Sequence, residues 1–105
     1  IVPAELRRFE YTNVGCAAAI VVFSDEHGKI RVTATASIEG LEPFDAGNLG
    51  YADTVGAAAK EGALAIYRWA KDINANSKPG LAKAVSMAII TWISKILDDV
   101  RNGTV

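Results

Sequence analysis

The stretch Met87-Ala-Ile-Ile-Thr-Trp-Ile-Ser-Lys-Ile-Leu97 constrains the fold of this chain more than any other segment. Its composition is helical, yet apolar residues fall on nearly every side, whereas a surface helix shows one apolar stripe and one polar face. Neighbours must cover such a helix, and a chain of 105 residues has few to offer. The sequence therefore predicts self-association through the C-terminal helix, with Ile89, Trp92, Ile93, Ile96, Leu97 and Val100 at the contact.

The length predicts one domain over residues 1–105. Half of the residues are hydrophobic and 22% are charged, which is globular rather than disordered composition. The formal net charge of −1 excludes binding to nucleic acid or membrane surfaces through a global positive field, so any such binding needs a local patch. Cys16 is the only cysteine, which rules out an intrachain disulfide and a cysteine-cluster metal site and fits a cytoplasmic location. The opening Ile1-Val-Pro-Ala-Glu-Leu-Arg-Arg lacks the charged-then-apolar order of a signal peptide. The apolar run at residues 84–97 is shorter than the ~20 residues of a spanning helix, so no membrane partner is expected.

Three strands are expected. Arg8 to Val14 alternates, with Phe9 and Tyr11 on one face and Arg8, Glu10 and Thr12 on the other. Ala17-Ala-Ala-Ile-Val-Val-Phe23 is apolar on both faces, the mark of a central strand covered on both sides. After the polar loop Ser24-Asp-Glu-His-Gly-Lys29, Ile30 to Ile38 alternates without a break, with Arg31, Thr33, Thr35 and Ser37 outward. Short links between sequential strands make an antiparallel meander.

Residues 39–52 hold Gly40, Pro43, Gly47 and Gly50 and read as a long irregular link. Asp53 then suits an N-cap. The helix that follows places Val55, Ala59, Ala63, Ile66, Ala70 and Ile73 near one face, and Gly56, Ala58, Gly62 and Ala65 on a flat surface for close packing. A second helix runs from about Leu81 to Arg101, with Ser77 or Lys78 as cap, Pro79 in the first turn and Gly103 at the end. One of its faces carries Leu81, Val85, Ala88, Trp92 and Ile96; the other carries Ala82, Ile89, Ile93 and Val100 and is left for a partner. The fold class is α+β: a three-stranded antiparallel meander followed by two long helices.

His27, the only histidine, sits in a charged turn with no second ligand for a transition metal. Cys16 has no cationic helper nearby in sequence and reads as a small buried hydrophobe. Gly47-Asn-Leu-Gly50 precedes a helix N-terminus but lacks the lysine of a phosphate loop, and Asp45 and Asp53 repel phosphate. No catalytic residue, metal or cofactor is expected. The outer sheet face is more suggestive: Arg8, Arg31, Thr33 and Thr35 could contact phosphates while Tyr11, Phe44 or Tyr51 stack on unpaired bases.

Tyr11-Thr-Asn13, the Ile20-Val-Val-Phe-Ser-Asp-Glu-His-Gly-Lys29 hairpin and the Ala/Leu-rich helix after Asp53 together resemble the opening of a ribonuclease H-like domain, over about two thirds of the chain. The resemblance implies a metal-dependent hydrolase site, with Asn13 standing where that family has its first-strand aspartate and Glu61 as a helical acid. The next strand and its aspartate are replaced here by the apolar last helix. Three functions follow as expectations: a non-enzymatic homo-oligomeric domain binding single-stranded nucleic acid on its sheet face, an assembly subunit acting through its helical interface, or a divergent hydrolase using Glu61 and Asp53 with a divalent metal.

Overall fold

The computed structural model describes residues 3–105; Ile1 and Val2, included in the single-domain expectation, lie outside the described residues. The chain is α+β. Strands β1 (Ala4–Asn13), β2 (Cys16–Ser24), β3 (Ile30–Ile38) and β4 (Phe44–Ala52) precede helices α1 (Val55–Asn76) and α2 (Leu81–Arg101). The strands form one antiparallel sheet in the order β1-β2-β3-β4.

The fourth strand corrects the expectation of three, and its absence from the sequence pattern has a physical cause. β4 pairs with β3 through Tyr51 opposite Arg31, Asn48 opposite Thr33 and Asp45 opposite Thr35, so two register shifts insert extra residues into β4. Gly47 and Gly50 take positive φ there (67° and 74°), the conformation that a bulge assigns to glycine. The inward residues Phe44, Ala46, Leu49 and Ala52 are consequently spaced two, three and three apart. The period-2 signature of a strand is erased.

Both helices lie on one face of the sheet. Trp69 of α1 stacks on Phe44 of β4 with ring centroids 5.5 Å apart, and Trp92 of α2 stacks on Tyr11 of β1 at 5.6 Å. α1 sits close because its buried face is Ala58, Ala59, Gly62, Ala63, Ile66 and Ala70. A Cβ on Gly62 would fall 2.8 Å from Ile20 Cγ2 and 3.0 Å from Val32 Cγ2, so glycine is what lets the helix axis approach the central strands. Ile20, Val22, Val32 and Ala34 are sealed from solvent beneath it. Each large apolar side chain so buried contributes roughly 1.5–3 kcal/mol.

α2 completes this core instead of presenting a second greasy face. Val85, Ser86, Ile89, Ile93 and Ile96 are buried within the single chain. Residues drawn from both expected faces merge into one stripe at i, i+4, i+8 spacing. Ile89, Ile93 and Ile96, expected at an oligomer contact, are core residues within the single chain; Trp92, Leu97 and Val100 pack against the core at partial exposure. The large apolar residues exposed on α2 are Leu81 and Met87.

The helix ends also differ from expectation. Thr54, not Asp53, caps α1: its Oγ1 accepts from Ala57 N–H at 3.0 Å. Ser77 ends α1, its hydroxyl donating to Ile73 C=O, and Gly80 precedes α2 without a side-chain cap. The two helices are joined near the link by Asn74 Nδ2, which donates to Lys83 C=O (3.1 Å) and to the buried Ser86 Oγ (3.2 Å). Gly103, at φ 75°, follows the end of α2 as expected. Among the described residues, no helix is long and apolar enough to cross a membrane.

Candidate binding face

The helices leave the opposite sheet face open, and strand pairing orders its side chains into four rows. Glu5, Phe23, Arg31 and Tyr51 form the first, and Arg8, Val21, Thr33 and Asn48 the second. Glu10, Ala19, Thr35 and Asp45 form the third, and Thr12, Ala17 and Ser37 the fourth. Down the middle runs the stripe Phe23, Val21, Ala19, Ala17 on β2. Three of these four are half-buried by neighbouring strands alone, and Ala17 is exposed. The expectation that β2 is covered on both sides thus holds for one face only.

A bulge at Leu6 puts Glu5 and Arg8 on the same face, although residues three apart in a regular strand point opposite ways. Arg8 is held there by two carboxylates. Its Nη2 lies 2.6 Å from Glu5 Oε1 and its Nη1 lies 3.1 Å from Glu10 Oε1. The hydrogen bond from Arg8 lowers the Glu5 carboxyl below its ordinary pKa, and the Glu5 and Glu10 carboxylates raise that of Arg8. Arg31 is different. Its guanidinium lies 4.6 Å from the Tyr51 ring centroid, and its Nε is buried without a hydrogen-bond partner. Arg8 is thus ion-paired within its own chain, while Arg31 has no ion pair among the described residues.

Of the residues expected to bind nucleic acid, Arg8, Arg31, Thr33, Thr35 and Tyr51 share the open face. Tyr11 and Phe44 do not; they point to the helices and are stacked on Trp92 and Trp69. The period-2 pattern of β1 already placed Tyr11 with Phe9, opposite Arg8. Phe44 was concealed by the bulged strand. The aromatic that sequence reasoning missed is Phe23, whose alternation with the buried Val22 was the available signal. Over the small side chains of Ala17 and Ala19 the face sinks into a shallow groove of about 440 Å³, rimmed by Arg8, Glu10, Thr35 and Asp45.

The other candidates are disposed apart from this face. Cys16 is buried at the start of β2, where burial pushes its thiol pKa up despite a backbone hydrogen bond involving Asn13. Burial also opposes the charge of Asp25, but N–H donors from Lys29 and His27 outweigh it and hold the carboxyl below its ordinary pKa. Asp25 therefore fixes the β2–β3 turn. Asn13 donates to the Tyr11 hydroxyl (3.1 Å) and accepts from Val14 N–H (2.8 Å), and Glu61 is exposed on α1. Among the described residues, no three of His, Cys, Asp and Glu lie close enough to hold a metal ion. Comparison of the chain with protein families, with characterised proteins and with solved structures gives no match.

Proposed function

We propose that this chain is a non-enzymatic binding domain that works through its open sheet face and that its ligand is a protein surface. One observation carries the reading: a central strand whose outward residues are Ala17, Ala19, Val21 and Phe23 is left uncovered, inside a polar rim. An apolar centre with a polar rim is the anatomy of a protein–protein contact. Charge supports the same choice, since Arg8 and Arg31 share the face with Glu5, Glu10 and Asp45 and leave no excess of cations for a polyanion.

Cysteine labelling tests it. Thr33→Cys puts a thiol at the middle of the face, while Cys16 is buried with its thiol pKa raised and stays silent toward maleimide at neutral pH. The new thiol reacts freely in dilute purified protein and is protected in the cells that make the chain. Equal labelling in both settings overturns the reading.

A second reading rests on Arg31. A guanidinium backed by the Tyr51 ring suits a phosphate beside a stacked base. Fluorescence anisotropy with a single-stranded oligonucleotide then shows affinity that falls steeply with salt and is lost in Arg31→Ala. Binding indifferent to salt, or to that substitution, removes it.

A further inference from the structure

Resting on the reading of the sheet as a protein-binding face, we propose that its partner is a second copy of this chain, docked sheet to sheet about a two-fold axis that runs across the strands.

The stripe along β2 tapers. It starts with Phe23, passes through Val21, and ends at Ala19 and Ala17, where the groove lies. A face with a projection at one end and a depression at the other fits itself when one copy is reversed. A two-fold across the strands, midway between the Val21 and Ala19 rows, does this. It sets Val21 over the partner copy's alanine row and Phe23 over its alanine groove, large on small at each level. An isologous contact of this kind repeats each fit twice.

The polar residues obey the same operation. Arg8 and Glu10 occupy the rows that exchange, so each copy's Arg8 meets the other's Glu10. Thr33 and Thr35 exchange likewise. Arg31 and Ser37 stand in the first and fourth rows, so each copy's Arg31 guanidinium comes to the other's Ser37 hydroxyl. The natural twist of each sheet turns the two strand sets by about 30°, so the fit is closest over β2 and β3 and relaxes at the edges.

Strand spacing fixes the scale. Four strands about 4.8 Å apart and about eight residues long present roughly 500 Å² per copy. Two copies bury about 1,000 Å², the lower limit for a specific interface. The dimer is consequently weak and concentration-dependent.

The test is a size swap read by sedimentation equilibrium between about 10 µM and about 1 mM. Phe23→Ala leaves the groove unfilled and Ala17→Phe blocks it, so each single variant weakens the dimer by about tenfold or more. The double variant Phe23→Ala/Ala17→Phe reverses the taper, restores large on small, and returns the dimer to within about threefold of the parent. Positions 17 and 23 lie in the first and fourth rows of one strand, too far apart to compensate within a copy, so only a contact between copies couples them. Circular dichroism confirms that all variants stay folded, since both side chains face away from the core.

A chain that stays monomeric throughout overturns the proposal, as do single variants that dimerise like the parent, or a double variant that does not recover. If the chain is monomeric while Thr33→Cys is protected in cells, a different protein occupies the face and the underlying reading stands. If Thr33→Cys is unprotected, that reading falls too. Protection of the same thiol by a single-stranded oligonucleotide, in a monomeric chain, assigns the face to nucleic acid and overturns both.

Discussion

The two faces of strand β2 are built from nearly the same material and meet opposite fates. On β2, Ile20 and Val22 point one way and are fully buried, while Val21 and Phe23 point the other way and keep part of their surface in water. Side-chain type does not decide between them. What decides is the layer above: α1 brings Gly62 down onto Ile20 and Val32, and α2 closes the remaining flank with Ile89, Ile93 and Ile96. Burial belongs to the neighbour as much as to the residue. The outward stripe of β2 stays partly in water because no layer lies above it.

The sharpest way to break that comparison is Ile93→Asp. On an exposed helical interface the substitution yields a folded monomer. At a fully buried position it places a carboxylate in the core, and a penalty above about 4 kcal/mol removes much of the ~5–15 kcal/mol that holds a typical domain. Loss of the far-ultraviolet helical signal at room temperature is expected. A cooperative melt with native helicity would return α2 to the surface.

Much of this was legible in the residues. The bounds of β3 and of α2 and the close-packing surface at Ala58 and Gly62 of α1 follow from local pattern: β3 alternates throughout, and Pro79 and Gly103 bracket α2. β4 was illegible because Gly47 and Gly50 break its period. The placement of α2 was illegible for another reason: its apolar residues divide into two plausible faces on paper, and the sheet and α1 choose one combined stripe. The candidate face was half legible. Alternation placed Arg31, Thr33 and Thr35 outward, but only the paired rows show Phe23 beside Arg31 and the bulge that clamps Arg8 to Glu5.

Next in size is Ile20→Ala, which leaves a cavity beneath α1. Ile20 is fully buried, so a loss of about 2–5 kcal/mol is expected from chemical denaturation, with an unchanged m-value. A loss under about 1 kcal/mol would mean that the helices do not press on the central strands.

Gly62→Ala probes why one face is covered at all. The new methyl meets Ile20 Cγ2 at 2.8 Å and Val32 Cγ2 at 3.0 Å, both on branched, buried side chains with nowhere to turn. Overpacking costs about 1–3 kcal/mol, and the better helix propensity of alanine returns about 1 kcal/mol. A net loss near 1 kcal/mol is expected. A gain in stability would show that α1 stands off farther than the structure has it.

The smallest effect, at Val21, gives the cleanest contrast when set beside its neighbour. Val21→Thr and Val22→Thr make the same chemical change at adjacent positions of one strand. Val22 is fully buried, so its new hydroxyl loses water and costs about 1–3 kcal/mol. Val21 faces the open side, where the hydroxyl stays hydrated and threonine is as good a strand residue, so the loss is within about 0.5 kcal/mol. Both are measured at concentrations where the chain is monomeric, so that the adjacent pair reports the two faces and nothing else. Equal losses would mean that the outward stripe is already covered within one copy, and the distinction between the faces would disappear.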